Sequence, residues 1–261
     1  MENNKVSFEV KNLSFAYENK LVLHNLNLQI PKGKITTLIG PNGCGKSTLF
    51  QLLTKNLTPS QGEIFLNSIP IHQLNLRDFA RKVAIVHQNN TAPGDLTVEQ
   101  LVAYGRIPYT KMGRSASTQE DCRLIERAMK ITGISSLRSR NIQNLSGGQR
   151  QRVWIAMALA QGTNILLLDE PTTYLDVRYQ LQILRLIQML NKRYGITILM
   201  VLHDMNQTIR YSDEIVALSS KGTIVAHGDP QKVVTTEMLQ EVYGVHLDVV
   251  QHEDTKVVLN F

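Results

Sequence analysis

The stretch GPNGCGKS, residues 40–47, restricts the fold more than any other part of the sequence. It satisfies the pattern G-x-x-x-x-G-K-[ST] at every fixed position. It follows the apolar run Ile35–Ile39 and precedes a helical pattern over 48–56, which is the strand–loop–helix context that the pattern needs. A Gly-rich turn before a helix, without a ligand, is the alternative. The match and its context together favour a phosphate-binding loop in an α/β fold.

The residue types of this loop suit a nucleoside triphosphate. Glycines let successive backbone N–H groups converge on phosphate oxygens, Lys46 neutralises charge on the β- and γ-phosphates, and the Ser47 hydroxyl can bind Mg²⁺. Cys44 would make the loop oxidisable if its thiolate formed readily. The residues predicted to bind nucleotide here are Gly40, Pro41, Asn42, Gly43, Cys44, Gly45, Lys46, Ser47 and Thr48.

Short apolar runs elsewhere predict a mostly parallel sheet. Several of them precede helical patterns, as is typical of buried parallel strands. The runs are Ile35–Ile39, Val83–Val86, Ile165–Leu168, 196–202 and 215–218. Ahead of them, alternating apolar and polar residues over 7–10 and 21–30 flank a turn near Glu18 and Asn19, which predicts an N-terminal antiparallel β subdomain. The predicted class is α/β, with a core of the phosphate-loop NTPase type.

Helical spacing replaces the apolar runs between residues 89 and 144. Ser117 and Glu120 fit a capping box, and Gly133 fits a helix end. One predicted helical face carries Leu124, Ile125, Ala128 and Met129. We therefore predict an α-helical subdomain inserted into the α/β core.

The predicted organisation is a single domain over residues 1–261. Its β and α/β core takes residues 5–88 and 145–230, and the helical subdomain takes 89–144. A C-terminal tail follows over 231–261, with a helix over 236–243 and a strand-like end over 256–261. The role of the tail is left open between packing and regulation.

Two adjacent carboxylates follow the run Ile165–Leu168. Ligand sites of open α/β sheets lie at the carboxyl ends of the strands, so Asp169 and Glu170 are predicted to face the edge that carries the phosphate-binding loop. Asp169 is then a Mg²⁺ partner, and Glu170 is the candidate general base for the water that attacks the γ-phosphate. The alternative is an acidic start to the next helix, where carboxylates are favoured.

Gln88 and His203 end two more of the predicted strands. His203 could donate a hydrogen bond to the γ-phosphate, and Gln88 could contact the attacking water or Mg²⁺. A single histidine or glutamine at a strand end is more often structural. Their assignment to catalysis therefore depends on the phosphate-binding loop.

A second stretch, NLSGGQR over residues 144–150, also has the glycines and hydroxyl of an anion-binding loop. Ser146 and Gln149 fit a capping box, so a plain helix start is the alternative. The predicted inner face of that helix carries Val153, Ala156, Met157 and Ala160. Two glycines in a first turn cost up to about 1 kcal/mol each relative to alanine, and close approach to an anion would explain them.

These motifs, in this order and spacing, resemble an ABC-type ATPase subunit over roughly residues 5–230. The resemblance rests on the 40–47 loop, Gln88, the LSGGQ letters of 145–149, the LLLDE letters ahead of Pro171, Leu175 with Asp176, and His203. It implies that the loop of one chain and the LSGGQ loop of a second copy, head to tail, enclose one ATP. The residues that it adds to the nucleotide site are Tyr17, which stacks on adenine, Ser146, Gly147, Gly148, Gln149 and Asp176. Packing of Tyr17 in the hairpin core is the alternative.

Local phrases resemble the ATPases of iron-siderophore, haem and cobalamin importers. They are VAYGRIPY at 102–109, LAQGT at 159–163 and LHDMN at 202–206. This resemblance implies a dimer on the cytoplasmic face of a bacterial membrane, two integral-membrane permease subunits and, indirectly, an extracytoplasmic substrate-binding protein. An exporter ATPase, or an ABC ATPase that acts on ribosomes or DNA, is the alternative.

Charge and composition exclude several other classes. The chain carries 28 Lys and Arg against 22 Asp and Glu, dispersed without a basic run, so we expect no nucleic-acid partner. Its longest apolar run, 196–202, is far below the roughly 20 residues that cross a bilayer. Cys44 and Cys122 provide no disulfide framework, which favours a reducing compartment.

Overall fold

The structure is a computed structural model that describes residues 5–18, 20–110 and 118–259. The described chain divides into two compact units. The first runs to Leu74 and resumes at Thr197, and the second is Asn75–Ile196. No helix among the described residues has the length and apolar character of a bilayer-crossing segment.

The strands and helices are numbered here in chain order. The strands are β1 (Val6–Tyr17), β2 (Lys20–Pro31), β3 (Ile35–Ile39), β4 (Gln61–Leu66), β5 (Ile69–Pro70), β6 (Val83–Val86), β7 (Ile165–Leu168), β8 (Thr197–Val201), β9 (Glu214–Leu218), β10 (Ile224–Gly228), β11 (Asp248–His252) and β12 (Thr255–Leu259). The α-helices are α1 (Lys46–Leu53), α2 (Leu76–Ala80), α3 (Val98–Ala103), α4 (Gln119–Ile131), α5 (Gly147–Ala160), α6 (Val177–Tyr194), α7 (Met205–Tyr211), α8 (Pro230–Val233) and α9 (Thr236–Tyr243). Short 3₁₀ turns lie at Ile71–Gln73, Tyr104–Tyr109, Ser135–Leu137 and Ile142–Asn144.

The first unit contains an antiparallel sheet, four strands of a mixed sheet and the antiparallel pair β11–β12. The antiparallel sheet has the order β2-β1-β4-β5, which confirms the predicted N-terminal β subdomain. In the mixed sheet β3 pairs in parallel with both β8 and β9, and β10 pairs antiparallel with β9. All five residues of β3 are buried, as expected for a central parallel strand covered on both faces.

The tail closes one side of this mixed sheet. Val234, Leu239 and Val258 are at most 2% exposed and share a core cluster with Ile39 of β3 and Ile209 of α7. The predicted tail helix is α9. The strand-like end is β12, which stops at Leu259, while residues 260 and 261 lie outside the described residues. Packing is thus one role of the tail.

The second unit combines the parallel pair β6–β7 with most of the helices. Its α5 contacts α3, α4, α6 and β6. The prediction of one inner face on α5 was too narrow, because Trp154, Ile155 and Ala158 are also buried and Met157 is only half-buried. A helix packed on several sides cannot keep the single apolar stripe of a surface helix.

Most of the predicted strands and helices are present in the structure, with ends shifted by one to three residues. The strands β3, β6 and β7 have the predicted bounds, whereas α1 is 46–53 rather than 48–56. The described part of 89–144 carries α3, α4 and three 3₁₀ turns, and the capping box of α4 is Thr118 with Asp121 rather than Ser117 with Glu120. Ser117 lies outside the described residues, as does Asn19 of the predicted hairpin turn. The predicted domain limits stay a prediction.

Candidate functional site

The glycines of the 40–47 loop are required by geometry. Gly40 has φ +146°, and a Cβ there would lie 2.5 Å from the Leu218 carbonyl oxygen and 2.8 Å from Cys44 Sγ. Gly45 has φ +103°, and a Cβ would lie 2.5 Å from Leu23 Cδ2. No L side chain fits either position without a shift of its neighbours. The loop is therefore pressed closely against β2 and the end of β9.

A buried ammonium group lies at the centre of this loop. Lys46 is 5% exposed, and its Nζ donates to the carbonyl oxygens of Gly40 at 2.8 Å and Pro41 at 2.9 Å. Gly45 is the N-cap of α1 and supplies no side-chain hydrogen bond, so the first N–H groups of the helix have no side-chain cap. Cation and helix start together form a positively polarised loop suited to phosphate.

Cys44 does not have the surroundings of an oxidisable thiol. It is 1% exposed, and burial raises the pKa of its thiol, although Lys46 opposes that rise. A reactive cysteine needs a lowered pKa and access to solvent. The structure therefore gives no support to redox control at this loop.

The predicted catalytic carboxylate, that of Glu170, follows β7 and accepts hydrogen bonds from two side chains. The N–H of Asp169 donates to the Val86 carbonyl at 2.9 Å, which extends the β6–β7 pairing to the strand end. Gln88 Nε2 donates to Glu170 Oε2 at 2.6 Å, and Thr173 Oγ1 donates to the same oxygen at 2.9 Å. The structure thus brings Gln88 and Glu170 together beyond the ends of the paired strands β6 and β7, a contact that the sequence analysis did not predict.

The backbone of Glu170 is also unusual. Its φ is +47°, a left-handed conformation that is uncommon outside glycine. The Thr173 N–H donates to the Glu170 carbonyl at 3.2 Å, so Thr173 holds Glu170 through both main chain and side chain. Sequence analysis missed Thr173. Its spacing of three residues from a carboxylate was the available signal.

The LSGGQ segment forms the helix start that the alternative prediction describes. The Gln149 N–H donates to Ser146 Oγ at 3.4 Å, and the Ser146 N–H donates to Gln149 Oε1 at 3.1 Å. A Cβ on Gly148 would lie 2.5 Å from Tyr179 Cδ1, so packing against α6 requires a glycine there. Packing against Tyr179 therefore accounts for this glycine without an anion. Ser146 and Gly147 are exposed and accessible to a ligand or a second chain.

The remaining predicted residues lie at element ends. Asp176 caps α6 by accepting from the Tyr179 N–H at 3.0 Å, a structural role that was not predicted. His203 is exposed between β8 and α7, in the same unit as the 40–47 loop. Tyr17 is 47% exposed, and its ring meets Phe15 edge-on at 4.9 Å, which contradicts a hairpin-core position.

Comparisons with known proteins point to the same family that the sequence motifs resemble. The sequence model of the family described as "ABC transporter" matches residues 23–173. The iron(3+)-hydroxamate import ATP-binding protein FhuC of Bacillus subtilis (strain 168) is 47% identical over 244 residues, covering 94% of this chain and 90% of that protein. The ferric enterobactin transport ATP-binding protein FepC of Escherichia coli (strain K12) is 44% identical over 238 residues, covering 91% and 87%.

Solved structures show the same similarity. A putative metal-chelate type ABC transporter in an inward-facing conformation has a TM-score of 0.84 and 27% identity, and each chain covers 98% of the other. A dimeric ATP-binding cassette in a post-hydrolysis state, bound to ADP and Pi, has a TM-score of 0.72 and 28% identity, covering 85% of this chain and 98% of that one.

Proposed function

The chain belongs to the ABC transporter family and is an ATPase, and we propose that it is the ATP-hydrolysing subunit of a ferric-siderophore importer. The observation that carries this proposal is the 47% and 44% identity, over more than nine-tenths of the chain, to ATP-binding proteins of iron-hydroxamate and ferric enterobactin uptake. Haem and cobalamin are the other metal chelates to test.

We infer that the 40–47 loop and the start of α1 bind the ATP phosphates, from Gly40 to Thr48. Lys46 already donates to two loop carbonyls, so its ammonium is held where phosphate oxygens can replace them as acceptors. Charge-assisted hydrogen bonds to phosphate are stronger than those to neutral carbonyls. Tyr17 has the exposure that stacking on adenine requires.

The residues present fit a magnesium ion bound together with ATP. Ser47, Gln88 and Asp169 offer a hydroxyl, an amide oxygen and a carboxylate, the hard oxygen donors that Mg²⁺ prefers. Among the described residues no cluster of three or more His, Cys, Asp or Glu could hold a metal. Mg²⁺ usually takes a few protein oxygens together with the substrate phosphates. When bound, the ion would neutralise phosphate charge.

We assign proton transfer to Glu170. Its carboxylate would accept the proton of the water that attacks the γ-phosphate, and the hydrogen bonds from Gln88 and Thr173 orient it for that task. His203 would donate a hydrogen bond to the γ-phosphate. The exposed position of His203 at the end of β8 supports this role.

We further propose that two copies assemble head to tail around two ATP molecules. The exposed Ser146 and Gly147 at the start of α5 would contact the γ-phosphate held by the other copy, beside Gln149, Asp176 and the buried Gly148. A twofold pair of this kind forms two equivalent sites at once. Loss of phosphate after hydrolysis would remove the bridging charge and let the dimer open.

A surface on the second unit fits a membrane permease subunit. Leu76, Tyr104 and Ile107 are 71%, 43% and 59% exposed, an unusual concentration of large apolar side chains. They lie on α2 and the 104–109 turn, and Arg77 and Arg81 join these two segments by donating to the Pro108 carbonyl. We propose that this surface, with the stretch from Thr91 to Tyr109, receives a cytoplasmic segment of each of two permease subunits. The ATPase would then sit on the cytoplasmic face of the membrane, supplied by an extracytoplasmic binding protein.

Co-purification of the Glu170→Gln variant tests this proposal. Tagged Glu170→Gln protein is extracted from native membranes in mild detergent with ATP and Mg²⁺, beside a Lys46→Ala control that lacks the phosphate-binding ammonium. We expect a stoichiometric multi-span membrane protein with Glu170→Gln, and cellular uptake of ⁵⁵Fe-siderophore that requires the wild-type chain. Ribosomal proteins or nucleic acid in its place, or uptake that is unchanged without the chain, would contradict an importer.

A further inference from the structure

The residues that lead into the LSGGQ segment pair with the stretch that follows Gln88, and both belong to the second unit. Backbone hydrogen bonds join 96–98 and 99 to 138–142. The N–H groups of Val98, Glu99 and Ile142 donate to the carbonyls of Arg140, Arg138 and Leu96, at 3.0, 3.1 and 3.1 Å in that order. Thr97 and Asn141 face each other in an antiparallel bridge. The two segments are therefore held side by side.

Asn141 adds a side-chain link across this contact. Its Nδ2 donates to the Gly94 carbonyl at 2.7 Å, and its Oδ1 accepts from the Gln143 N–H at 2.8 Å. The end of the Gln143 side chain also lies against Gly94, where it would collide with an added Cβ. One amide thus holds the backbone on both sides of the contact.

The turn after Asn141 carries this position to Ser146. Asn141 is the N-cap of the 3₁₀ turn Ile142–Asn144, and its carbonyl accepts from the Asn144 N–H at 3.1 Å. The Leu145 N–H donates to the Ile142 carbonyl at 3.3 Å, and Leu145 is 5% exposed. The turn is therefore anchored in the core directly before Ser146, so a displacement of Asn141 would move Ser146.

The Gly94 end of the link leads back to the predicted catalytic carboxylate. Gly94 lies six residues beyond Gln88, whose Nε2 donates to Glu170 Oε2 at 2.6 Å. In the proposed dimer, Glu170 serves the ATP bound by its own chain, and Ser146 contacts the ATP of the other copy. The 88–94 segment and Asn141 thus lie between a group of one ATP site and a group of the other.

We propose that Asn141 is a positioning residue that couples the two ATP sites of the dimer: its amide holds the 88–94 segment and the Ser146 turn of one chain in a fixed relation. A shift of Gln88 when phosphate leaves one site then moves the loop that closes the other. This inference rests on the proposed roles of Gln88, Glu170 and Ser146.

The Asn141→Asp variant breaks the link and keeps the turn. Aspartate retains an acceptor for the Gln143 N–H and has no donor for the Gly94 carbonyl. In the Glu170→Gln background with ATP and Mg²⁺, we expect the Kd of the dimer to rise about two- to tenfold, the range for loss of one hydrogen bond. The Kd of the monomer for ATP should not change. Analytical ultracentrifugation and titration with a fluorescent ATP analogue measure the two constants.

Steady-state ATPase assays of Asn141→Asp, with Glu170 intact, give a readout that lost stability does not mimic. A weakened dimer is restored by mass action as the protein concentration rises. The specific activity of Asn141→Asp should therefore be low in dilute protein and approach the wild-type value in concentrated protein. An activity deficit that is the same at every protein concentration would contradict the proposal.

Asn191→Ala is the matched control, because it removes a buried side-chain amide of the same unit, one that donates to the Ile196 carbonyl at 2.9 Å. It should lower the melting temperature and leave the Kd of the dimer unchanged. An unchanged dimer Kd in Asn141→Asp would overturn the role of Asn141, as would a weakening that Asn191→Ala reproduces. If Glu170→Gln alone forms no dimer with ATP, the head-to-tail assembly itself is wrong, and this inference is wrong with it.

Discussion

At the residue scale, the placement of Glu170 depends on neighbours that act together. Gln88 and Thr173 donate to one oxygen of its carboxylate, and its backbone is held at φ +47°. Strained backbone persists where the surroundings enforce it, and the turn closed by Thr173 is such a constraint here. Thr173 is thus a positioning residue that acts through Glu170.

Replacement of Thr173 by valine tests that relation. Valine keeps the shape of threonine and removes the hydroxyl donor, so the Glu170 carboxylate loses the hydrogen bond from Thr173 and keeps the one from Gln88. We expect kcat to fall about tenfold, equivalent to ~1.4 kcal/mol, with KM for ATP unchanged. Steady-state ATPase assays measure both constants.

Two further variants test whether the loss of kcat in Thr173→Val arises through Glu170. Thr173→Ser should restore the wild-type kcat because it returns the hydroxyl. In a Glu170→Gln background, Thr173→Val should cause no additional loss, since residues that act as one unit are not additive. An equal tenfold loss in both backgrounds would mean that Thr173 acts elsewhere.

At the element scale, a buried ion pair joins the helices of the second unit. Arg106 Nε donates to Asp121 Oδ1 of α4 at 2.7 Å, and Arg106 Nη1 donates to the carbonyls of Ala160 and Gln161, both at 3.0 Å. The two side chains are 10% and 11% exposed. Burial opposes ionisation of Asp121, but hydrogen bonds from Arg106 and Thr118 outweigh it and hold the pKa of this carboxyl below its usual value.

Asp121→Asn should destabilise the protein strongly. It leaves the Arg106 guanidinium buried without its counter-charge, which typically costs about 3 kcal/mol or more. Urea unfolding at neutral pH measures the change in unfolding free energy. Glu120→Gln on the same helix is the control, because its pair with Arg123 is fully exposed and should contribute little.

The Arg106–Asp121 pair also makes the free energy of unfolding depend on pH. Folding lowers the pKa of Asp121, so the stabilisation that its ionised carboxylate gives the folded protein is complete above the pKa of the unfolded state, near 3.8. This stabilisation is lost as the pH falls through the pKa of the folded state. The difference between wild type and Asp121→Asn should therefore shrink below about pH 4. A difference that is constant with pH would exclude the charge of Asp121 as its cause.

At the scale of the whole molecule, one chain carries two loops with the character of anion sites. The 40–47 loop has a buried ammonium, whereas Ser146 and Gly147 at the start of α5 are exposed, and the positively charged side chain of Arg150 beside them is exposed and donates to the Leu145 carbonyl. A loop of the second kind has few groups with which to bind phosphate by itself. This difference supports the proposed dimer, in which each copy supplies half of each site.

The Ser146→Asp variant tests the ATP-dependent dimer without removing the helix cap of α5. Aspartate caps a helix as well as serine does, so α5 should keep its start and the melting temperature should stay near the wild-type value. Its negative charge would face the γ-phosphate held by the other copy. We expect the ATP-dependent dimer of Glu170→Gln, measured by size exclusion with light scattering, to disappear when Ser146→Asp is added.

Ser146→Ala supplies the complementary control. It removes the cap of α5, at a cost of about 1 kcal/mol, and introduces no charge. It should lower stability and retain at least part of the ATP-dependent dimer. A dimer that survives Ser146→Asp unchanged would contradict the proposed contact with phosphate.

The sequence by itself determined the elements and the chemistry of the motifs. Short apolar runs located β3, β6 and β7 at their observed bounds, because burial on both faces leaves a clear local pattern. The glycines of 40–47 marked a loop in which Gly40 and Gly45 leave no room for a side chain, and Gln88 and Glu170 were each predicted just beyond the end of a strand, where the structure has them. Strand bounds and loop glycines of this kind depend on residues that are close together in the sequence.

Only the tertiary structure decided which residues hold those motifs in place. Tyr179 explains Gly148, Thr173 holds Glu170, and Leu239 shares a buried cluster with Ile39 although 200 positions separate them. The burial of α5 on several sides likewise depends on helices distant in sequence. Contacts of this kind arise when separate elements pack into one core, and no periodicity, spacing or composition records which side chains will then be neighbours.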